Sequence, residues 1–292
     1  MTADTILVDR VPGETRVAAL AGGRLVDLHV ARGDPRWAVG AIHLGRVAQV
    51  VAAFAGAFVD IGLEQAAFLR LADVPQPPQP GDPLIVQIVR ATAGEKGLGV
   101  TARPRLAGQL MDWTSGRPGL RMPRGGAVTP PGLAAGEGAD LRPAAVAADP
   151  EALAAEAAAL RAQWQRIEAQ AARGVAPAPL APAPEPWMPL ALHHAATLTA
   201  IRFADRASAA AARAAVAGRL PEIAGLLAQD AAGWRLFDEA GVEEQIAAAL
   251  MRRVKLPRGG ALTIDEAEAA TLIDVDAEES RAAPPALNRA AV

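Results

Sequence analysis

The sequence predicts an α+β protein organised around a small five-stranded β-barrel. Five short β-like runs between residues 42 and 102 carry few helical signals, which is typical of a barrel of short strands. Three further apolar runs between residues 5 and 30, separated by Pro-Gly and Gly-Gly turns, predict an antiparallel meander ahead of the barrel. Residues 149 to 172 then show the apolar spacing of an amphipathic helix, so strand-rich and helix-rich segments alternate along the chain.

Length, composition and charge limit the class of protein. The 292 residues suffice for two or three units that each bury a core. No apolar run approaches the roughly 18 to 20 residues that span a bilayer, and MTADTILVDRVPG lacks the regions of a secretory signal, so we expect a cytoplasmic protein without membrane contact. Zero cysteines exclude disulfides and thiolate zinc sites. A net charge of −3 argues against coating nucleic acid by bulk electrostatics, so any such site must be local.

The five barrel runs are followed by a segment rich in glycine and proline and then by a predicted helix. They read IHLGRVAQVV, GAFVDIG, AAFLRL, PLIVQIV and GLGVTA, with PQPPQPGDP as a rigid spacer between the third and the fourth. Glycine and proline dominate residues 116 to 138, after which Asp149 is the predicted N-cap of a helix with Pro150 at its first position. The predicted buried stripe of this helix comprises Leu153, Leu160, Trp164 and Ile167.

The remaining segments mix linker, helix and strand. Residues 174 to 189, GVAPAPLAPAPEPWMP, predict an extended and exposed proline–alanine linker. A strand at LTAIRFAD precedes predicted helices at 207–217, 221–229 and 241–253. GGALTIDEAEAATLIDVDAEES predicts a β-hairpin, and its second strand, TLIDVD, alternates between apolar positions expected to be buried and outward acidic ones.

Two phenylalanines lie on neighbouring strands of the predicted barrel. Phe58 is in GAFVDIG and Phe68 in AAFLRL, in a chain with five phenylalanines and no tyrosine. OB-fold proteins stack the bases of single-stranded nucleic acid on such aromatics, a contact worth about 1 to 3 kcal/mol per base. Lys96, in the turn GEKG, is placed to contact a backbone phosphate. The alternative is that both rings belong to the barrel core, since a lone strand aromatic is usually buried.

Two aspartates in LIDVD form a candidate metal site. Asp274 and Asp276 are separated by one residue, so on a strand both carboxylates project from the same face. Paired carboxylates are a common beginning of a Mg²⁺ site, and a further ligand is expected from Asp265, Glu266 or Glu268. The alternative is an edge strand whose acidic face is simply solvated.

Basic residues cluster in two segments. The clusters are Arg103, Arg105, Arg117, Arg121 and Arg124, opposed only by Asp112, and Arg252, Arg253, Lys255 and Arg258, with no acid among them. Taken in isolation, such clusters are explained as solvated basic faces.

The order and the amino-acid sequences of these segments resemble those of the catalytic half of the ribonuclease E/G family. GRVAQVVAAFAGAFVDIGLEQAAFLRL is similar to its S1-type OB domain, and LPRGGALTIDEAEAATLIDVD to the opening of its nuclease subdomain. The resemblance implies an OB-fold barrel inserted in an RNase H-like α/β subdomain, with a degenerate sensor region and a partial nuclease subdomain. The implied ranges are 1–35 and 190–255 for the RNase H-like parts, 36–104 for the barrel, 105–189 for the sensor-like region with its linker, and 256–292 for the incomplete nuclease subdomain.

The resemblance also implies roles for individual residues. Phe58, Phe68 and Lys96 match the positions where the family grips single-stranded RNA. Asp274 matches the catalytic magnesium ligand, and Asp276 stands where the family commonly places an asparagine near the metal. The implied activity is Mg²⁺-dependent hydrolysis of single-stranded RNA by an endoribonuclease of RNA processing or decay. Because the family often assembles through its nuclease subdomain, a homo-oligomer is a further expectation.

Departures from the family pattern leave several functions open. Arg142, in GADLRP, matches the arginine that binds a 5′-monophosphate, but Pro143 replaces a threonine and offers neither hydroxyl nor N–H. The family's second magnesium aspartate falls on a later strand, so the chain is expected to be a C-terminally truncated member. It is therefore interpreted either as an endoribonuclease or as a catalytically incomplete RNA-binding protein. A protein-interaction module built on the proline linker is the third interpretation.

Overall fold

The computed structural model describes residues 2–74, 76–91, 97–122, 128–217, 220–256, 260–267 and 270–276. The strands of these ranges are β1 (Thr5–Val11), β2 (Glu14–Ala21), β3 (Arg24–Arg32), β4 (Ile42–Val51), β5 (Gly56–Asp60), β6 (Ala67–Arg70), β7 (Pro83–Arg90), β8 (Gly99–Thr101), β9 (Arg105–Ala107), β10 (Met111–Ser115), β11 (Gly119–Arg121), β12 (Glu137–Leu141), β13 (Ala178–Ala181), β14 (Ala200–Phe203), β15 (Leu227–Gln229), β16 (Arg253–Lys255), β17 (Ala261–Glu266) and β18 (Thr271–Asp276). The helices are α1 (Pro150–Ala171), α2 (Met188–His194), α3 (Arg206–Val216), α4 (Pro221–Leu226), α5 (Leu236–Glu239) and α6 (Val242–Ala249).

The first sheet joins the N-terminal strands to two strands from the second half of the chain, in the order β15-β14-β1-β2-β3. Strands β1 to β3 form the predicted antiparallel meander, while β14 and β15 run parallel to β1. Helices α2, α3 and α4 supply apolar side chains to a core that includes Ile6, Ile201 and the packed pair Trp187 and Phe203. This mixed sheet with its helices agrees with the predicted RNase H-like unit, split by the segments between β3 and β14.

Two predicted helices are shorter than expected. The helix predicted at 221–229 ends at Leu226, and Leu227–Gln229 forms β15 because Leu227 pairs in parallel register with Ile201. The helix predicted at 241–253 ends at Ala249, and Arg253 already belongs to β16. In both places pairing with a distant strand overrides local helix propensity.

The predicted barrel is confirmed as a closed five-stranded OB-type barrel. Strands β4, β5, β6, β8 and β7 pair in that order, and β4 closes the ring by pairing with β7 from Ile42 opposite Gln87 to Arg46 opposite Pro83. Val59 and Leu69 are fully buried in the core of the barrel. A Cβ added at Gly45 would overlap Val59, so β4 needs a glycine where it crosses the barrel interior.

The proline–alanine segment is extended and partly exposed as predicted, but it is not a free linker, and that part of the prediction is wrong. Ala178–Ala181 forms β13, which pairs with β4 along the part of its edge that β5 leaves free. Further along the segment, Trp187 is fully buried and Met188 begins helix α2. Backbone pairing and one large indole decide the conformation, and neither is visible in a composition rich in proline and alanine.

The third sheet and helix α1 share a core. The sheet has the order β11-β12-β10-β9, and Trp113 on β10 packs against Trp164 on α1 with ring centroids 6.1 Å apart. All four positions predicted for the apolar stripe of α1 are buried. Asp149 precedes the helix as predicted, but its side chain makes no capping hydrogen bond.

The carboxylate of Glu156 joins helix α1 to the loop between β9 and β10. It accepts the backbone N–H groups of Gln109 at 3.1 Å, Leu110 at 2.9 Å and Met111 at 3.0 Å. Burial raises the pKa of Glu156, and these three donors and the nearby Arg142 oppose that rise. A Cβ at position 108 would overlap the carboxylate, so Gly108 is required for this contact.

The fourth sheet, β16-β17-β18, contains the predicted hairpin. The expected burial of its apolar positions is wrong for Ile273, which is 63% exposed, whereas Val275 is half-buried; Leu272, on the aspartate face, is 62% exposed. No element of the described part of the chain covers the side chains of Leu272 and Ile273 sufficiently to bury them.

Among the helices described, none is long and apolar enough to cross a membrane.

The barrel core offers a matched pair of substitutions for testing the fold. Val59→Ala removes two methyl groups from a fully buried position and is expected to lower the free energy of unfolding by about 2 kcal/mol. Val89→Ala removes the same groups from a barrel residue that is 52% exposed, so little change is expected. Urea denaturation of both variants measures the difference, and equal losses would contradict the assignment of the barrel core.

Glu156 provides a second test of the fold. Glu156→Ala leaves three backbone N–H groups without their acceptor and is expected to lower the free energy of unfolding by about 2 to 3 kcal/mol. Glu168→Ala, at an exposed position of the same helix, is the control and should change it by less than about 0.5 kcal/mol. The measurement is again urea denaturation, and a Glu156→Ala protein as stable as the control would refute the role given to this carboxylate.

Candidate nucleic-acid interface

Two phenyl rings meet on the outer face of the barrel. Phe58 on β5 and Phe68 on β6 are directly opposite in register, with ring centroids 5.9 Å apart and ring planes at 69°. Their strand neighbours Val59 and Leu69 point into the core, so alternation along each strand directs the two rings outward. Both rings are partly exposed, which excludes the alternative that they form the barrel core.

The two rings belong to a row of residues that crosses all five barrel strands, here termed the outer row: Gln49, Phe58, Phe68, Gly99 and Arg90. Each member is the register partner of the next. Gln49 and Arg90 are exposed at the two ends, and the Arg90 side chain lies over Gly99, beside Phe68. The row therefore combines two apolar rings with a cation at one end and an amide at the other.

A glycine lies beneath the rings. Gly56 is buried, and a Cβ at this position would overlap the Phe68 ring. The Phe68 ring therefore packs directly on the backbone of Gly56. This contact holds the ring against Phe58 and leaves it partly exposed. Lys96, the third predicted RNA contact, lies outside the described residues.

Arg142, predicted to bind a 5′-phosphate, is engaged in contacts within the chain. Its Nη2 donates to Asp112 Oδ1 at 2.5 Å and its Nε to the carbonyl oxygen of Gly108 at 3.0 Å. Its backbone N–H donates to the carbonyl of Leu110 at 2.8 Å. The guanidinium therefore faces the same loop whose amides bind Glu156.

The first basic cluster is more neutral in the fold than in the sequence. Asp140 on β12 is the register partner of Asp112 on β10, and it binds Arg105 at 2.9 Å and Arg121 at 3.6 Å. Arg105 also lies 3.7 Å from Asp112. The expectation of Asp112 as the sole opposing acid is wrong, because strand pairing brings Asp140 across from a distant segment.

The two hairpin aspartates occupy one face of β18, as alternation predicts. Asp274 is exposed and opposite Thr263, while Asp276 is opposite Ala261 and receives Arg253 Nη2 at 3.3 Å. Asp265 is held by Arg252 at 2.5 and 2.8 Å. Across the ranges that the structure describes, no three His, Cys, Asp or Glu side chains gather closely enough to hold a metal ion. Two neighbouring carboxylates still fit Mg²⁺, which commonly takes one or two protein carboxylates together with water and substrate phosphate.

Sequence reasoning missed several residues of these surfaces. Arg90 and Gly99 enter the outer row only through the closing of the barrel, and Gly56 only through its contact with the Phe68 ring. Asp140 and Glu156 are acidic residues with no local signal of their own, and each acts on a segment more than 25 residues away. The one sequence signal that bears on the outer row is the presence of Gly56 and Gly99 within short strands. A glycine inside a strand often marks a place where another part of the chain approaches the backbone closely.

Comparison with known proteins finds a family match that covers the hairpin aspartates, whereas the barrel with its outer row lies before the matched residues. The family model described as Ribonuclease E/G family matches residues 128–288, which is more than half of the chain. Ribonuclease G of Escherichia coli (strain K12) and of Salmonella typhimurium (strain SL1344) are each 37% identical over 121 residues, covering 35% of this chain and 24% of the relative. Ribonuclease G of Haemophilus influenzae is 35% identical over 121 residues, covering 35% of this chain and 25% of the relative.

The similarity to these relatives is therefore partial in length. The matched part amounts to about a quarter of each relative. The family match, in contrast, includes strands β14 and β15 of the first sheet, helix α1 and the hairpin of β17 and β18. On the extent of that match, and in agreement with the resemblance seen in the sequence, the chain belongs to the ribonuclease E/G family.

Proposed function

We propose that this protein binds single-stranded RNA on the outer row of its barrel and belongs to an endoribonuclease of RNA processing. The observation that carries the proposal is the partly exposed pair Phe58 and Phe68 on adjacent strands, with Arg90 over the neighbouring Gly99. Two rings fixed in register offer stacking surfaces to successive bases, and a neighbouring guanidinium offers a charge to the backbone phosphate. Lys96 is proposed as a second phosphate contact on the grounds of the resemblance alone.

The hairpin is proposed as the acidic side of the nuclease site. Asp274 and Asp276 would hold Mg²⁺ from one face of β18, with Asp274 as the catalytic ligand. Bound there, the metal would activate water and stabilise charge on the phosphodiester. The chain's own residues hold the acidic face in place: Arg253 binds Asp276, and Thr263 lies opposite Asp274. The cytoplasmic location, a homo-oligomer and the five domain ranges predicted from the sequence are part of the same proposal.

A second candidate function is RNA binding without cleavage. It is favoured by the hairpin, where the described residues bring together two carboxylates and Asp276 is already bound by Arg253. The two candidates share the barrel and differ at the hairpin, where Asp274 and Asp276 would hold the metal. They are therefore separated by measuring binding and cleavage on the same preparation.

Substituting the two rings tests RNA binding. Phe58→Ala and Phe68→Ala are each expected to weaken binding of a single-stranded RNA oligomer roughly fivefold to a hundredfold, because each removes one stacked base. Fluorescence anisotropy at one fixed salt concentration measures the dissociation constants. Trp234→Ala is the matched control, since this aromatic is 81% exposed but lies outside the barrel. Unchanged affinity in both phenylalanine variants would remove the outer row as the RNA site.

Substituting Asp274 tests catalysis. Asp274→Asn is expected to reduce Mg²⁺-dependent cleavage of a single-stranded RNA by on the order of a hundredfold or more, because a metal ligand loses its charge. Asp27→Asn, which neutralises an exposed aspartate on β3, is the control. Equal cleavage by the two variants would exclude Asp274 as the catalytic ligand. RNA binding by the unsubstituted protein with no cleavage in any divalent metal would establish the second candidate instead.

A further inference from the structure

The outward face of the third sheet carries a compact network of charges. Asp112 and Asp140 are directly opposite in register, and three arginines surround them: Arg105, Arg121 and Arg142. Like charges directly opposite on paired strands repel, so each carboxylate depends on its arginines. The three arginines and two aspartates leave the network with one net positive charge. Within it, Arg142 is bound to Asp112.

Several donors on which an anion could bind at Arg142 are already used by groups of the chain itself. Two of the three guanidinium nitrogens donate to Asp112 and to the carbonyl of Gly108. The amides of residues 109 to 111, which lie in the same loop, donate to Glu156. Pro143 follows Arg142 and has no N–H to offer. The Asp112 carboxylate therefore holds the guanidinium nitrogen Nη2, and the Glu156 carboxylate holds the loop amides that could have bound a phosphate.

Displacing Asp112 from Arg142 would be unfavourable, although solvent reaches the pair. The side chains are 18% exposed for Arg142 and 19% for Asp112, so an incoming anion is not blocked sterically. An incoming phosphate would, however, bring up to two negative charges next to Asp112 and Asp140 and would leave Asp112 with only the longer contact to Arg105, at 3.7 Å. It would also compete with a partner on the same chain, whose effective concentration is high.

We infer that Asp112 determines how this protein treats RNA ends: its carboxylate occupies Arg142 in place of a 5′-phosphate, so that RNA with a 5′-monophosphate and RNA with a 5′-hydroxyl bind alike. The inference rests on the proposed RNA binding and refines it. Arg142 becomes a ligand for a 5′-phosphate only when Asp112 is removed or neutralised. Asp112 is thus a specificity-determining residue that acts through Arg142.

The inference is tested with two RNA oligomers of one sequence that differ only at the 5′ end. The unsubstituted protein should bind both within a factor of about two, and Asp112→Ala should bind the 5′-monophosphate about tenfold more tightly than the 5′-hydroxyl, because a charged hydrogen-bonded pair becomes available. Asp112→Asn, which keeps the size of the side chain and removes its charge, should show an intermediate preference. The double variant Asp112→Ala with Arg142→Ala should lose the preference again.

Asp140→Ala is the matched control. It removes the same charge from the same sheet face but leaves the bond between Asp112 and Arg142 intact, so both oligomers should gain equally. An equal gain for both ends in Asp112→Ala would overturn the inference, since Asp112 would then act only through bulk charge. A several-fold preference for the 5′-monophosphate in the unsubstituted protein, lost in Arg142→Ala, would overturn it as well.

A second measurement does not depend on RNA binding. Inorganic phosphate, compared with chloride at equal ionic strength, should raise the melting temperature of Asp112→Ala by about 2 °C and leave the unsubstituted protein, Asp140→Ala and the double variant unchanged. No phosphate-dependent shift in Asp112→Ala or Asp112→Asn would refute the inference. If the shift occurs and no RNA binds to any protein, the inference about Arg142 stands and the proposed function fails.

Discussion

The backbone pairing of β4 supports much of the described structure. Its first half lies between β7 and β13, and its second half pairs with β5, so one strand closes the barrel and ties in the proline–alanine segment. Closure requires Gly45, because any side chain there would displace Val59 from the core. A register shift between Val47 and Gln49 then sets Gln49 opposite Phe58. The outer row thus depends on the way β4 is paired along its length.

The charge pattern is compatible with the proposed local RNA site on a protein of net negative charge. On the third sheet, Asp112 and Asp140 neutralise most of the arginine charge, and Glu156 fills the amide donors of the nearby loop. These carboxylates act as internal anions and stabilise the fold around Trp113. On the barrel, by contrast, Arg90 extends over Gly99 next to the exposed rings. The net charge of −3 is therefore compatible with binding on one face, because opposing charges are unevenly distributed.

The hairpin differs from the barrel in how well its apolar residues are buried. Its acidic face is formed in the register that alternation predicts, but Leu272 and Ile273 remain largely exposed in the described chain. A three-stranded sheet without a cover buries little apolar surface and contributes little stability of its own. The barrel rings rest on a closed core, whereas Asp274 lies on a strand whose apolar residues Leu272 and Ile273 are exposed. The residues proposed for RNA binding and those proposed for metal binding therefore rest on supports of different stability.

Local patterns determined the identity and order of most elements, and distant pairing decided the rest. The meander, the five barrel strands, helix α1 and the hairpin follow from alternation, turn residues and the spacing of Leu153, Leu160 and Trp164, because these signals lie within a few residues of one another. Phe58, Phe68 and Asp274 were identified as candidate residues from their sequence context alone. The tertiary structure decided three other features. These are the strand at Leu227, the pairing of Ala178 with Leu44 and the partial exposure of the two rings. The tertiary structure also decided the bond between Asp112 and Arg142, since residues 30 positions apart meet only when their strands pair across the sheet.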